Sequence, residues 1–477
     1  MTGIVSFGAY IPFQRLPRNI IADSWETKGL PGEKAVANYD EDSLTMAIAA
    51  ARHCLRKVPP NQIDTLYFAT TTAPYREKQS SALMAAVLEL PEDTQTLDFG
   101  NSLRCGTSAI GAALNAINSG ASNCVLVCVA DARLFRPKSY YEMFCGDGAA
   151  AFLLGKEGII AEIDFFDSFY DEIQDVWRSD KEQFIRTAED RFVQDLGYCR
   201  VVEKAVVKTL KKHDVTAKDF SKVCANFSNA TTINKVFAKF GFNSHVQVQN
   251  DLHVDVGDTG AAMALMNVVS AMENAEPNQS ILVVNYGNGC DNLRIRTTER
   301  IKSLRTDGSV SSQIENKFLL NNYNKYLIWR ELIDVQTIPR PPLTERQPSP
   351  VAQWRENKGE LALCGTKCSK CGTPQYPPQR VCMICKSTDH FTPYSFSGRA
   401  GKVFSFSHDY IMQTLDPPVT STVVDFEGGG RVICDMTDRE PDQVRVDMDV
   451  EMTFRKLYYV GGIYNYWWKC RPSSRNR

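Results

Sequence analysis

Five cysteines offer most of the chemistry in this sequence. Cys368 and Cys371 are separated by two residues, as are Cys382 and Cys385, with ten residues between the pairs. Two such knuckles present four thiolates, the donor set of a closed tetrahedral Zn²⁺ site with no position left for substrate. Gly372 suits the tight turn that follows the first pair, and Pro374, Pro377 and Pro378 stiffen the approach to the second. The competing readings are four unrelated buried cysteines, or a redox role for one pair; the double spacing favours metal. Cys364 lies close by but outside the paired spacing.

The fifth is Cys105, in Phe99-Gly-Asn-Ser-Leu-Arg-Cys105-Gly-Thr-Ser-Ala109. The pattern places it where a strand gives way to a helix of small residues. A helix N-terminus carries partial positive charge, which lowers a thiol's pKa and favours the thiolate that attacks an acyl carbonyl. In a chain of fifteen cysteines most are structural, so position alone leaves both readings of Cys105 open.

The elements that must carry these residues follow from length and pattern. At 477 residues the chain is too long for one core, so several domains are expected. Hydrophobic residues at 43% and charged residues at 23% fit a globular protein rather than a disordered one. No apolar run nears the ~20 residues of a membrane span, and Met1 to Pro12 lacks a secretory signal. A cytoplasmic location is expected, which also agrees with reduced thiols. A formal net charge of −2 gives no electrostatic reason to expect nucleic acid or an acidic membrane as partner.

The first three hundred residues alternate strand-like and helix-like segments, the signature of a layered α/β domain. Strands are expected at 3–11, 63–70, 96–99 and 123–130, with helices at 40–55, 80–90 and 105–119. A second block repeats the order: helix 199–213, strand 223–227, helix 231–240, a small-residue helix 260–272 and strand 280–286. Two similar halves are expected, 1–160 and 161–300. Prolines 339, 341, 342, 348 and 350 mark a connector over 301–350. A helix and the cysteine cluster fill 351–392, and an all-β tail runs over 393–470.

At this point residues begin to resemble a family. Cys105-Gly-Thr-Ser-Ala with its small-residue helix resembles the nucleophile segment of the thiolase superfamily, especially hydroxymethylglutaryl-CoA synthase and ketoacyl-acyl-carrier-protein synthase III. Cys145-Gly-Asp-Gly-Ala-Ala-Ala151 and Asn285-Tyr-Gly-Asn-Gly-Cys290 resemble their Gly-Asp-Gly-Ala segment and glycine loop, in the same order. The resemblance implies a five-layered α/β thiolase-type fold and an acyl group passed from CoA to Cys105. It also implies an oxyanion hole from the Cys105 N–H and one in the Gly287 to Gly289 loop, and a dimer.

The pattern departs where the family keeps its acid–base residues. Asn226-Phe-Ser-Asn-Ala230 stands where a histidine belongs, Asp258 replaces the asparagine, and Ala69-Thr-Thr-Thr-Ala73 replaces the glutamate segment, with Glu77 a few residues on. His253 and Asp258 are the nearest titratable candidates for proton transfer, or else a surface or helix-capping pair.

The segment from about Gln353 to Lys469 resembles the zinc-ribbon and OB-fold proteins that accompany thiolases. Phe404, Phe406 and Tyr410 are expected to face a barrel core rather than stack on nucleic acid. Three functions are expected to compete: carbon–carbon bond formation or cleavage through acyl-Cys105; a retro-aldolase on β-hydroxy acyl-CoA with Tyr286 in proton transfer; or a non-catalytic CoA-binding scaffold for a partner thiolase, with another acyl-CoA enzyme as a possible partner.

Overall fold

The computed structural model describes residues 1–227, 229–249, 252–303, 309–335 and 349–473. Four of the five connector prolines, 339, 341, 342 and 348, lie outside them, as does Ser228. The chain forms two compact units: Met1–Ala37, Asp42–Ala85 and Leu90–Tyr323; and Asn38–Glu41, Ala86–Glu89 and Asn324–Arg477.

The first unit is built on ten strands. They are β1 (Gly3–Tyr10), β2 (Thr65–Ala69), β3 (Gln95–Phe99), β4 (Cys124–Asp131), β5 (Gly148–Gly155), β6 (Ala161–Tyr170), β7 (Lys222–Ala225), β8 (Val248–Gln249), β9 (Ser280–Tyr286) and β10 (Gly289–Thr297). Their order is β8-β7-β9-β10-β6-β1-β5-β4-β2-β3, so β1 to β5 and β6 to β10 lie in the same relative order in each half. Directions repeat as well. β2 runs parallel to β3 and β4 while β5 is antiparallel to β4 and β1; β7 runs parallel to β8 and β9 while β10 is antiparallel to β9 and β6. The two similar halves expected from the alternating pattern are therefore written in the topology.

Helices occupy equivalent places in the two halves. α1 (Ser43–Cys54) follows β1 as α3 (Arg200–Lys212) follows β6; α2 (Cys105–Ser119) precedes β4 as α4 (Met263–Glu273) precedes β9. At the start of α1, Asp42 accepts from the Thr45 amide in a capping box. The helix expected from Cys199 begins earlier, with wide π-type turns from Phe192 to Cys199 that run into α3.

α2 lies between the halves because its residues are small. A Cβ on Gly106 would come 2.9 Å from Val129 of β4 and 3.1 Å from Leu265 of α4, and one on Gly111 2.7 Å from the Phe166 ring of β6. Larger side chains at either position would force the layers apart. The helix stops at Gly120, in the left-handed conformation at φ +80°. α2 and α4 thus form a buried middle layer sharing one core with the flanking strands.

The second unit opens on a helix, Pro350–Glu360, capped by Ser349. A ribbon follows, with strand Cys364–Cys368 between Pro374–Gln375 and Phe391–Ser395. Five further strands form an antiparallel sheet in the order 431–435, 419–426, 401–409, 449–460, 463–472. A bridge from Met436 to Cys470 joins its first strand to its last, closing a barrel. Val419–Phe426 alternates between inward and outward positions, the period-2 pattern of a barrel wall. Asn38–Glu41 belong to this unit: Arg455, almost fully buried, sits 3.1 Å from Asp40, 2.7 Å from Glu41 and 2.5 Å from Asp438.

One expectation for the barrel fails. Phe404 and Tyr410 are 53% and 70% exposed, not inward. Phe404 follows the inward Val403 and so points outward, beneath the Arg431 guanidinium. A bulge between Val403 and Ser405 then turns Phe406 back to a half-buried position, and Tyr410 lies past the strand's last residue, Asp409.

Candidate functional site

Cys105 stands at the first turn of α2, where the sequence places it, but is only 3% exposed. Burial pushes its thiol well above the ordinary value, and the nearby Asp131 carboxylate pushes the same way; the N–H groups of Gly106 and Cys105 oppose them. This reverses the expected direction. A helix terminus is worth roughly 0.3–1 kcal/mol to an exposed charge, whereas full burial shifts a titration by up to about 3–5 units. Desolvation wins.

Asp131, at the end of β4, organises this end of the first half. Fully buried, its carboxylate accepts from the Thr70 hydroxyl (3.0 Å), the Thr71 amide (2.7 Å) and hydroxyl (3.0 Å), the Thr72 hydroxyl (3.2 Å) and the Ala261 amide (2.8 Å). The threonine run that replaces the expected glutamate is therefore a ring of donors around this one carboxylate. Glu77 is exposed.

Asp258 and the turn Gly260–Ala262 hold, at the start of α4, the place Cys105 holds at the start of α2. Asp258 accepts from the Gly260 amide (2.9 Å) and lies 3.9 Å from Arg133. Its backbone is stitched to the Cys145-Gly146-Asp147 segment, donating to the Phe144 carbonyl (2.7 Å) and accepting from Gly146 (3.0 Å). A Cβ on Gly146 would lie 1.9 Å from the Val256 carbonyl oxygen, so only glycine fits that crossing. His253 is held separately. Its Nε2 is 2.6 Å from the Phe227 carbonyl oxygen, and its own carbonyl accepts from Arg18.

The glycine loop meets the residues that lead into Cys105. The Gly287 carbonyl accepts from Ser102 Oγ (2.8 Å) and Arg104 Nε (2.9 Å), and a Cβ on Gly287 would lie 2.9 Å from the Arg104 nitrogen. The Gly287 N–H donates to the Gly289 carbonyl (3.0 Å) and the Cys105 N–H to the Ser102 carbonyl (3.0 Å). Asn288, between the glycines, has φ +50°, and Gly289 +126°. Asn226, where a histidine was expected, bonds the Tyr286 backbone on both sides, accepting at 2.6 Å and donating at 2.8 Å. The Tyr286 hydroxyl donates to Asp175, and burial together with that carboxylate drives its pKa upward.

Asp131 and Arg104 escaped the reading of the sequence. Asp131 ends an apolar strand and Arg104 precedes the nucleophile, and neither position bears a spacing signal. Only the contacts across the fold reveal them.

In the ribbon, the sulfurs of Cys368, Cys371, Cys382 and Cys385 lie within 4.8 Å of one another, and Cys364 is not among them. Cys368 and Cys385 are 3.7 Å apart, Cys371 and Cys382 3.5 Å. Thiolates at the corners of a tetrahedron about 2.3 Å from Zn²⁺ would be ~3.8 Å apart, so the geometry fits. The two knuckles match: Gly372 donates to the Cys368 carbonyl and Lys386 to that of Cys382, both residues in the left-handed region. The Ser387 hydroxyl, 3.3 Å away, followed by the Cys371 amide, pulls the Cys368 thiol down to about 6.

Comparisons with known proteins agree with both units. Residues 357–390 match the family described as ChsH2, rubredoxin-like zinc ribbon domain, and 394–455 match ChsH2, C-terminal OB-fold domain. A hydroxymethylglutaryl-CoA synthase of Methanosphaera stadtmanae is 28% identical over 337 residues, 68% of this chain and 97% of the relative. A crystal structure of HMG-CoA synthase complexed with CoA aligns with TM-score 0.62 at 16% identity, over 72% of this chain and 95% of its own. 3-Oxoacyl-[acyl-carrier-protein] synthase III from Aquifex aeolicus aligns with TM-score 0.56 at 22% identity, over 62% of this chain and 100% of its own.

The duplicated halves, with a cysteine heading one middle helix beside a glycine loop, define a protein of thiolase fold. Within that class the chain is hydroxymethylglutaryl-CoA synthase-like, followed by a zinc ribbon and an OB-fold of the ChsH2 type. Among the described residues no helix is long and apolar enough to cross a membrane.

Proposed function

We propose that the chain is an acyl-CoA acyltransferase that makes or cleaves a carbon–carbon bond through an acyl-Cys105 intermediate. The observation that carries this reading is the meeting of the nucleophile's approach with the glycine loop: Gly287 is pinned by Ser102 and Arg104, three residues and one residue before Cys105 in the chain. Attack of the Cys105 sulfur on a CoA thioester forms the new carbon–sulfur bond as the bond to CoA breaks, and the thiol proton leaves on CoA. The thioester oxygen takes charge in this step and needs donors. Since the Gly287 N–H is engaged, the Asn288 N–H is the loop's donor in this reading.

The relative solved with CoA supports the substrate class. Proton transfer to or from the second substrate falls in this reading to Asp258, just ahead of the turn into α4 and 3.9 Å from Arg133, rather than to His253, whose ring is tied to Phe227. Cys368, Cys371, Cys382 and Cys385 hold a structural Zn²⁺, which supplies no open coordination site and fixes the two knuckles.

Incubation of the full chain with acetyl-CoA, followed by peptide mass spectrometry, should place the acetyl group on Cys105 and find none in Cys105→Ser. Full turnover by Cys105→Ser ends the proposal.

A specific observation favours a second reading. The thiol of Cys105 is pushed up and the Tyr286–Asp175 pair is buried beside Tyr198. Retro-aldol cleavage of a β-hydroxy acyl-CoA needs no thiolate, and Tyr286 would take part in proton transfer. Turnover of β-hydroxy thioesters without acyl-enzyme would select it.

A further inference from the structure

We propose that Arg104 is the positioning residue that fixes the glycine loop relative to the nucleophile, an inference that rests on the acyl-Cys105 reading. Arg104 directly precedes Cys105, and its guanidinium reaches across to the second half of the first unit. Nε donates to the Gly287 carbonyl (2.9 Å), Nη1 to Asp291 (2.8 Å) and to Ser168 Oγ (2.8 Å), and Nη2 lies 3.5 Å from the Asn288 carbonyl oxygen.

The far anchor is itself rigid. Asp291 is fully buried and also accepts from Thr107 (2.7 Å) and Ser108 (3.2 Å) of α2 and from Ser168 (2.7 Å). The start of the helix and the strand after the loop are therefore clamped to one carboxylate, with Arg104 as the bracket between it and the loop. A planar trans peptide transmits the constraint: once the Gly287 carbonyl is held by Arg104 and Ser102, the direction of the Asn288 N–H is fixed too. A guanidinium can hold the loop carbonyl and the carboxylate together through separate N–H groups in one plane, which a lysine ammonium cannot do from the same place.

The inference separates the hole from the thiol. Acylation by a thioester needs donors placed for the developing oxyanion; alkylation by iodoacetamide needs only the sulfur. Two variants of the full chain test it, Arg104→Lys, and Arg104→Met combined with Asp291→Asn so that no lone charge is left buried. Rapid-quench mass spectrometry with acetyl-CoA reads acyl-Cys105, and iodoacetamide labelling reads thiol reactivity.

Both variants are expected to acylate about 10–100-fold more slowly at saturating acetyl-CoA, with half-saturation and alkylation changed by no more than about twofold. Wild-type acylation rates in both variants overturn the inference, and so does alkylation that falls in parallel with acylation, because the thiol or the fold would then be the cause. Absence of acyl-Cys105 in the wild type is a different result: it removes the acyl-enzyme reading itself and this inference with it.

Discussion

The two cysteine sites place the same atom in opposite surroundings. Cys105 is buried in the first unit's core with Asp131 near it, and its thiol is pushed up. Cys368 sits in a knuckle where a hydroxyl and backbone amides point at the sulfur, and its thiol is pulled down to about 6. Spacing suggested thiolates in the ribbon, and the start of a helix favoured one at Cys105. The difference teaches that desolvation decides a sulfur's state where burial is deep, and that a helix end is too weak to offset it.

The comparison can be broken most forcefully at the ribbon. Metal bound by four closed ligands contributes on the order of 10 kcal/mol to a small module. Chelation, or Cys368→Ser, should unfold residues 364–395, read as loss of hydrogen-exchange protection there together with loss of one zinc per chain. Protection that survives in metal-free protein would show that the knuckles hold themselves together.

The next largest effect lies at the other sulfur. Cys105→Ser keeps the packing but removes the nucleophile, so acyl transfer should drop by ~10³ or more while thermal stability stays close to wild type. A large fall in melting temperature would mean that Cys105 is chiefly a packing residue.

Gly287→Ala probes the loop between these extremes. Its Cβ would meet the backbone nitrogens of Arg104 and Leu103 at 2.9 and 3.0 Å, atoms that cannot yield without moving the nucleophile. Crowding of this kind costs about 1–3 kcal/mol of stability, and acylation should fall by about 10²–10³. Near-normal acylation would detach the loop from the chemistry.

The pH dependence sharpens the contrast itself. With its pKa raised, Cys105 is protonated at neutral pH, and its thiolate fraction grows about tenfold per pH unit until the raised pKa is reached. Alkylation of Cys105 should therefore climb through pH 9 without a plateau. Levelling below pH 8 would show that the thiol is activated after all. The smallest effect is expected for Thr71→Val, which removes one hydroxyl from Asp131 and should cost about 1 kcal/mol of stability.

How much could be read in advance varies with the range of the interaction. The repeating strand and helix order was legible because each element's pattern is local, and so was the metal site, since four ligands on two short turns need little else. The resemblance pointed to Thr71 and Asn226 as standing where a glutamate and a histidine were expected, but what they do instead was not legible. One faces Asp131, sixty residues on, and the other the backbone of Tyr286, also sixty residues on. Phe404 was misplaced because a bulge separates it from Phe406, so two residues that simple alternation puts on one face do not share it.

By itself the sequence determined which residues could act: the paired cysteines, the thiol ahead of a small-residue helix, the glycines of the loop. Those are matters of residue type and spacing along the chain. Tertiary structure alone decided the protonation tendency of Cys105, the role of Asp131 and the bracket formed by Arg104 and Asp291. Each depends on lost solvent and on partners brought from distant parts of the chain, and neither quantity exists until the two halves close on their shared middle layer.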